Sequence, residues 1–430
     1  MTIAIPILLL IFFLLFGMPI AFALGISGSL GLILNEGWGS FFGVIKTAPY
    51  DSVESFVLSA IPMFILMASI MTVSGLTKDL FYSANKWLGN LPGGLGIATV
   101  FAGAGMGATS GSSTASAATM ASAAYPEMKR YNYSTSFAMG VVSVSGTLAV
   151  MIPPSIILIM YGILSEVGVA SLLIAGVIPG LITAAGYVVT ILIMVKLKPS
   201  IAPKIDQKPT LKDRFVSIKF TWPVLLLILV VVGAIYTGIV TPTEAGAVGA
   251  FIVFLIAIIM RRFSIKICNE VLKETLKSTT MILTIIIGAM IFGYFLTITG
   301  VTQGLVAYVE MLDVSKYLII SLIVLVYLVL GFFLDQMAIL ILMVPITLPI
   351  VMALDFNPIW FGIVITKAAE IGLVTPPVGM NVFVASGAAG VKPTETFKGV
   401  FWFVIVDLLI LIILMLIPEI ATWLPATMDN

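Results

Sequence analysis

The stretch Gly146-Thr-Leu-Ala-Val-Met-Ile-Pro153-Pro154-Ser155 lies inside an apolar segment and has a counterpart in Gly372-Leu-Val-Thr-Pro376-Pro377-Val-Gly-Met-Asn381, the two double prolines being 223 residues apart. A double proline withholds two backbone donors and crowds the preceding turn, so each apolar segment breaks where a span would otherwise continue as helix. Carbonyls are released there, and beside Ser, Thr or Asn side chains they supply the neutral oxygens that hold a hard cation. A plain kink satisfied by neighbouring helices uses the same prolines. The recurrence of the break at equivalent places favours a symmetric pair of ion sites.

The offset extends outward from these breaks. Pro19 pairs with Pro242, Pro126 with Pro349 and Gly176 with Gly399 at 223 residues, and 72–80 (TVSGLTKDL) matches 297–305 (TITGVTQGL) at 225. This pattern reads as an internal duplication. Pro242 stands between two clear helices, 217–238 and 242–260, so its partner Pro19 divides the first apolar stretch into helices at 3–16 and 20–35; the alternative is one long helix. The first copy then continues with a helix at 54–75, a re-entrant hairpin at 93–125 and helices at 132–165 and 169–195. The second runs 217–238, 242–260, 277–298, a hairpin at 317–353, a helix at 358–389 broken near Pro376, and 396–424. Five crossings per copy make the two copies inverted, as in many secondary transporters. The expected fold is therefore an all-α integral membrane domain over 1–430, with inverted repeats at 1–195 and 217–430 and a cytoplasmic linker at 196–216.

Composition places the chain in the bilayer. Of 430 residues, 60% are hydrophobic and 10% charged, mean hydropathy is +1.20, and apolar stretches of about 17 to 25 residues recur, the length that crosses a hydrocarbon core. No basic n-region or cleavage site marks a removable signal peptide. With the linker inside, only Lys46 and Lys316 of the 21 Lys and Arg fall outside and Lys367 lies within a helix, which predicts extracytoplasmic termini. The chain has no His and one Cys, Cys268, read as part of a basic loop. Disulfide frameworks and zinc or haem sites therefore lack ligands, and no cofactor or nucleic-acid partner is expected. No phosphate-binding loop or hydrolase motif is present, so the chain is read as a gradient-driven transporter and not an enzyme.

The first hairpin carries a run of Gly, Ala, Ser and Thr from Gly103 to Thr119. Its flanks are short, and a loop at membrane depth requires burial or a wet cavity. The polar stretch Thr109 to Thr114 is the candidate site: the second half-helix offers unpaired N–H groups to an anion, and the end of the first offers carbonyls to sodium. Small-residue helix packing draws on the same composition. At the second hairpin turn Asp335 either lies near the midplane, orienting the loop or serving sodium, or is an interfacial carboxylate. Lys367 and Glu370, three apart on one helix face, are expected to pair. Asp407 and Glu244 are expected to serve as partners for neighbouring subunits or as helix caps.

The residues Gly17-Met-Pro-Ile-Ala-Phe-Ala-Leu-Gly25, the Ser-rich hairpin, Ile152-Pro-Pro-Ser155 and Glu370-Ile-Gly-Leu-Val-Thr-Pro-Pro-Val-Gly-Met-Asn381 resemble the large membrane subunits of TRAP transporters, the DctM-type permeases, over essentially the whole chain. The resemblance implies a multi-pass protein of the bacterial inner membrane, working with a small membrane subunit and a soluble substrate-binding protein. It also implies sodium as coupling ion, an organic acid such as a C4-dicarboxylate or sialic acid as substrate, and an elevator mechanism. Carried onto this chain, one sodium site lies between Ser110, Ser112, Ser113 and Gly146, Pro153. The other lies between Asp335 and Gly372, Thr375, Met380. Substrate lies near Ser110, Thr114, Ser155 and Asn381, with Pro153, Pro154, Pro376 and Pro377 as the helix breaks. The competing readings are a self-sufficient sodium–carboxylate symporter of the same architecture, a passive channel, and an intramembrane hydrolase, for which no histidine is available.

Overall fold

A computed structural model describes residues 2–204 and 210–428; the side chains of Leu15, Thr77, Lys78, Ala108, Thr109 and Phe220 lie outside the description. The candidate side chain Thr109 and residues 205–209 of the expected linker are among those left outside. The described residues are helical and contain no strand. In chain order the helices are α1 (Ala4–Leu15), α2 (Ile20–Glu54), α3 (Ala60–Val73), α4 (Leu76–Leu88), α5 (Gly94–Ser110), α6 (Ser113–Ala123), α7 (Tyr125–Arg130), α8 (Thr135–Met151), α9 (Ile156–Ser165), α10 (Val169–Ala175) and α11 (Val177–Leu197). They continue with α12 (Leu211–Tyr236), α13 (Pro242–Ile259), α14 (Ile265–Ile298), α15 (Val301–Met311), α16 (Lys316–Gly331), α17 (Gln336–Ala353), α18 (Pro358–Gly372), α19 (Met380–Ala389), α20 (Pro393–Leu416) and α21 (Glu419–Ala426).

By length and composition seven of these helical segments are able to cross a membrane, or nine if each of two bent pairs counts as one span. One such pair is α8 with α9, bent by 40°. The chain is a multi-pass membrane protein. Five crossings per copy would also require α1 and the α18–α19 pair to count as spans, and α17, in the second hairpin, is itself long enough to cross.

Local chemistry sets the boundaries. Gly17, at φ 76°, turns the chain between α1 and α2, so these are two helices and not one long one. α2 runs past the expected end at residue 35 and contains Gly37 in a non-helical conformation, φ 80°. A capping box of Thr210 and Asp213 starts α12 six residues before the expected 217. Ser264 caps α14, whose first turns absorb the basic stretch containing Cys268, so that residue is on a helix and not in a loop. Glu244 is the helix cap expected of it, completing a capping box with Thr241.

The 72–80 and 297–305 match marks a corner that was not anticipated. α3 ends and α4 begins at Gly75, φ 73°; α14 ends and α15 begins at Gly300, φ 68°. Glycine alone enters this left-handed region without steric cost, and the two glycines hold nearly the same backbone conformation. α4 is strongly amphipathic, and Asp79 on it pairs with Arg262 at 2.6 Å.

The centre of the molecule is occupied by the first halves of the two broken helices. Every residue from 137 to 151 on α8 is buried, as is every residue from 360 to 372 on α18. Helices buried all round are ordinarily apolar all round; these two carry Ser143, Ser145, Thr147, Lys367 and Glu370 into the interior. Outer helices instead expose large apolar side chains, among them Leu8 and Phe12 on α1 and Leu229 on α12, a surface suited to lipid.

Candidate functional site

The first hairpin closes in two residues. α5 ends at Ser110, Gly111 adopts φ 58°, and α6 starts at Ser113 with Ser112 as its cap. The Ser112 hydroxyl accepts from Ala115 N at 3.4 Å, satisfying one of the donors that a helix start leaves unpaired. Ser110 and Ser116 hydroxyls meet at 2.8 Å across the hairpin, and Ser112 and Thr114 hydroxyls at 3.3 Å. Ser110 and Ser113 are buried, whereas Ser112 and Thr114 are half-buried.

This tip is seated on the first break. A Cβ at Gly146 would lie 2.7 Å from Ser113 O and 2.8 Å from Ala117 N, and one at Gly111 would lie 3.1 Å from Ile156 N. Only glycine permits these backbone approaches. α8 stops at Met151, because Pro153 and Pro154 withhold the donors that a continuing helix would give to the carbonyls of Ala149 and Val150. Both prolines are buried. Ser155 is fully buried and caps α9, accepting from Leu158 N at 3.3 Å.

The second tip is seated on the second break in the same manner, through different residues. A Cβ at Gly331, the last residue of α16, would lie 2.7 Å from Ala369 O and 3.0 Å from Gly372 Cα. The candidate Gly372 therefore meets Gly331, a residue the sequence did not single out. Asp335 is half-buried and caps α17, accepting from Met337 N at 3.1 Å. Gln336 Nε2 reaches Thr366 O at 3.5 Å. Thr375 Oγ1 donates to Ile371 O at 2.6 Å; Met380 opens α19 after Gly379, φ 58°.

The two breaks differ in two respects. At the second, local donors take up the carbonyls that proline would orphan: Thr375 N donates to Gly372 O at 3.1 Å and Asn381 N to Leu373 O at 3.0 Å. Each carbonyl keeps one lone pair for another partner. Pro376, Pro377 and Val378 are exposed, in contrast to buried Pro153 and Pro154.

One side-chain contact joins the sites directly. Asn381 Nδ2 donates to Ser113 Oγ, from the second break to the first tip, and Asn381 Oδ1, also buried, has no hydrogen-bond partner among the described residues. The structure thus brings Ser110, Ser113, Gly146 and Asn381 into one polar cluster. Thr114 joins its edge through Ser112, and Ser155 sits next to the Gly111–Ile156 contact. Asp335 makes no hydrogen bond to this cluster among the described residues.

Lys367 and Glu370 pair as expected, and Asp407 joins them, against expectation, closer to the lysine than Glu370 is. Lys367 Nζ lies 2.7 Å from Asp407 Oδ1 and 3.4 Å from Glu370 Oε1, all three fully buried. Asp407 is therefore the nearer partner of Lys367, inside the chain, and neither a cap nor a contact for another subunit. A buried lysine in an apolar helix demands a counter-charge, but a partner 40 residues away cannot be picked from helical spacing. Tyr187, which the sequence reading passed over, donates to Asp407 Oδ2 at 2.7 Å.

Residues 7–420 match the family described as the tripartite ATP-independent periplasmic transporter, DctM component. The chain is 36% identical over 405 residues to the C4-dicarboxylate TRAP transporter large permease protein DctM of Pseudomonas aeruginosa, covering 94% of this chain and 93% of that one. It is 29% identical over 411 residues to the sialic acid TRAP transporter large permease protein SiaM of Vibrio cholerae, covering 95% of each. In fold alone it is similar to the Alcanivorax borkumensis YdaH transporter, with a TM-score of 0.70 at 12% identity over 96% of this chain and 98% of the other. With a match spanning nearly its whole length and relatives covered almost end to end, the chain belongs to the DctM family of TRAP transporter large permease components.

Proposed function

We propose that this chain is the permease of a tripartite system of the bacterial inner membrane. It imports a small organic acid, of the C4-dicarboxylate or sialic acid kind carried by relatives, driven by sodium. The observation that carries the reading is the paired seating of a hairpin tip on a helix break, Ser113 on Gly146 and Gly331 on Gly372. Each seat gathers neutral hydroxyl and carbonyl oxygens around a glycine contact, a donor set suited to a hard monovalent cation. In this reading Ser110, Ser112, Ser113, Gly146 and Pro153 serve one sodium ion. Gly372, Thr375 and Met380 serve the other, with Asp335 holding the start of α17 in place. The acid occupies the hydroxyl- and amide-lined region near Ser110, Thr114, Ser155 and Asn381, where the unpartnered Asn381 Oδ1 and the α6 start mark unused polar capacity.

The two copies, 1–195 and 217–430, move as an elevator, with hairpins and broken helices carried against a scaffold of the outer helices. The termini face away from the cytoplasm, in keeping with the distribution of Lys and Arg. A small membrane subunit extends the scaffold, and a soluble binding protein delivers the substrate. The test is uptake of labelled acids into proteoliposomes holding this chain and its small subunit, with sodium or potassium gradients and with the binding protein added or omitted. Uptake that requires both sodium and the binding protein supports the reading. Sodium-driven uptake indifferent to the binding protein overturns the tripartite part in favour of a self-sufficient symporter.

A further inference from the structure

The two breaks are joined by a second, longer connection. Thr147, one residue past Gly146 on α8, lies 3.0 Å from the Tyr187 hydroxyl on α11. Tyr187 donates to Asp407 on α20 at 2.7 Å. Asp407 pairs with Lys367 on α18 at 2.7 Å, and Lys367 reaches Glu370, two residues before Gly372, at 3.4 Å. All five residues are fully buried, so solvent does not compete for these bonds.

Proton counting gives the chain a direction. An ionised carboxylate only accepts, and each hydroxyl has one proton, so Tyr187 donates to Asp407 and the Thr147 proton is what Tyr187 accepts. That proton has two further acceptors within reach, Val144 O one turn back on α8, at 2.7 Å, and the carboxylate of Glu370, the far member of the same network. The Thr147 end therefore has two kinds of arrangement, one directed into its own helix and one into the relay. α8 and α20 meet backbone to backbone at Gly140 and Gly399, two turns before Thr147 and Asp407. This contact leaves little slack between the helices that carry the relay.

We propose that Thr147, Tyr187, Asp407, Lys367 and Glu370 form a positioning relay through which the two breaks sense one another's cation. The proposal rests on the sodium reading given above. A two-arrangement element biased from both ends is the physical requirement for such coupling, and coupling is reciprocal for the two ions. Tyr187 and Thr147 contact neither seat's candidate oxygens, so they act by holding α8 and α18 in matched positions.

The test is the sodium dependence of uptake in proteoliposomes for Tyr187→Phe, Thr147→Val and the hydroxyl-retaining Thr147→Ser, with apparent melting temperature measured on the same preparations. The wild type should show a Hill coefficient of about 1.4 or higher, the value that coupling of roughly 5-fold, the usual lower bound for linked sites, gives for two required ions. Tyr187→Phe and Thr147→Val should lower the coefficient toward about 1 and raise half-saturating sodium about 5-fold, while Thr147→Ser stays cooperative at a melting temperature close to that of Thr147→Val. A cooperative wild type whose Hill coefficient is unchanged in both hydroxyl-free variants overturns the relay and leaves the sodium reading standing. A wild type indifferent to sodium overturns the sodium reading and the relay with it.

Discussion

Replacing Gly146 by alanine tests the first seat with a single methyl group. The added Cβ would lie 2.7 Å from Ser113 O and 2.8 Å from Ala117 Cβ, whereas ordinary contact begins at 3.4 Å, so the tip must retreat by about 0.7 Å, well outside the roughly 0.2 Å tolerance of ion–ligand distances. Overpacking of this kind costs about 1–3 kcal/mol. If that cost falls on the seated form, half-saturating sodium rises by about tenfold for each 1.4 kcal/mol. The assay is initial uptake against sodium concentration in proteoliposomes. Gly387→Ala on α19, where an added Cβ meets nothing within 4 Å, is the control and should leave the sodium curve in place. A Gly146→Ala protein with the sodium curve of the wild type would refute the assignment of this seat.

Further expectations concern the caps, the breaks and the buried charges. Ser112→Ala and Asp335→Ala each remove a helix cap worth about 1 kcal/mol and should weaken sodium activation more than they lower the yield of folded protein; normal activation in both would contradict their placement. Pro376→Ala restores a backbone donor at the second break and should lower maximal uptake by re-forming helix; undiminished uptake would show that neighbouring contacts, not proline, keep the break open. Lys367→Met strands two buried carboxylates at a cost of about 3–5 kcal/mol, whereas Asp407→Leu leaves Lys367 its Glu370 partner. The apparent melting temperature in detergent should therefore fall further for Lys367→Met, and the reverse order would contradict the geometry.

The breaks and the first hairpin tip were legible because proline and glycine act through the backbone and need no knowledge of the tertiary fold. Pro153, Pro154, Pro376 and Pro377 end their helices wherever the neighbours lie. The serine-rich turn at 110–113 declares itself by composition. α4 and α15 are not legible in the sequence even though 72–80 and 297–305 match, because a short amphipathic helix following a glycine corner gives no spanning signal. Gly331 was invisible for another reason: its role is a close approach to Ala369 and Gly372, and one glycine among many apolar residues carries no mark of what it touches. The Lys367–Asp407 pair shows the same limit. Helical spacing offered Glu370 as a partner, and tertiary packing supplied a nearer one, with Tyr187 beside it.

The measurement that bears most directly on the account is sodium-dependent thermal stabilisation of the purified chain, without partners, for the wild type, Gly146→Ala and Gly372→Ala. Two seats that bind sodium predict saturable stabilisation by sodium over potassium, reduced in each variant. Equal stabilisation by the two cations, or sodium curves that coincide for all three proteins, would contradict it.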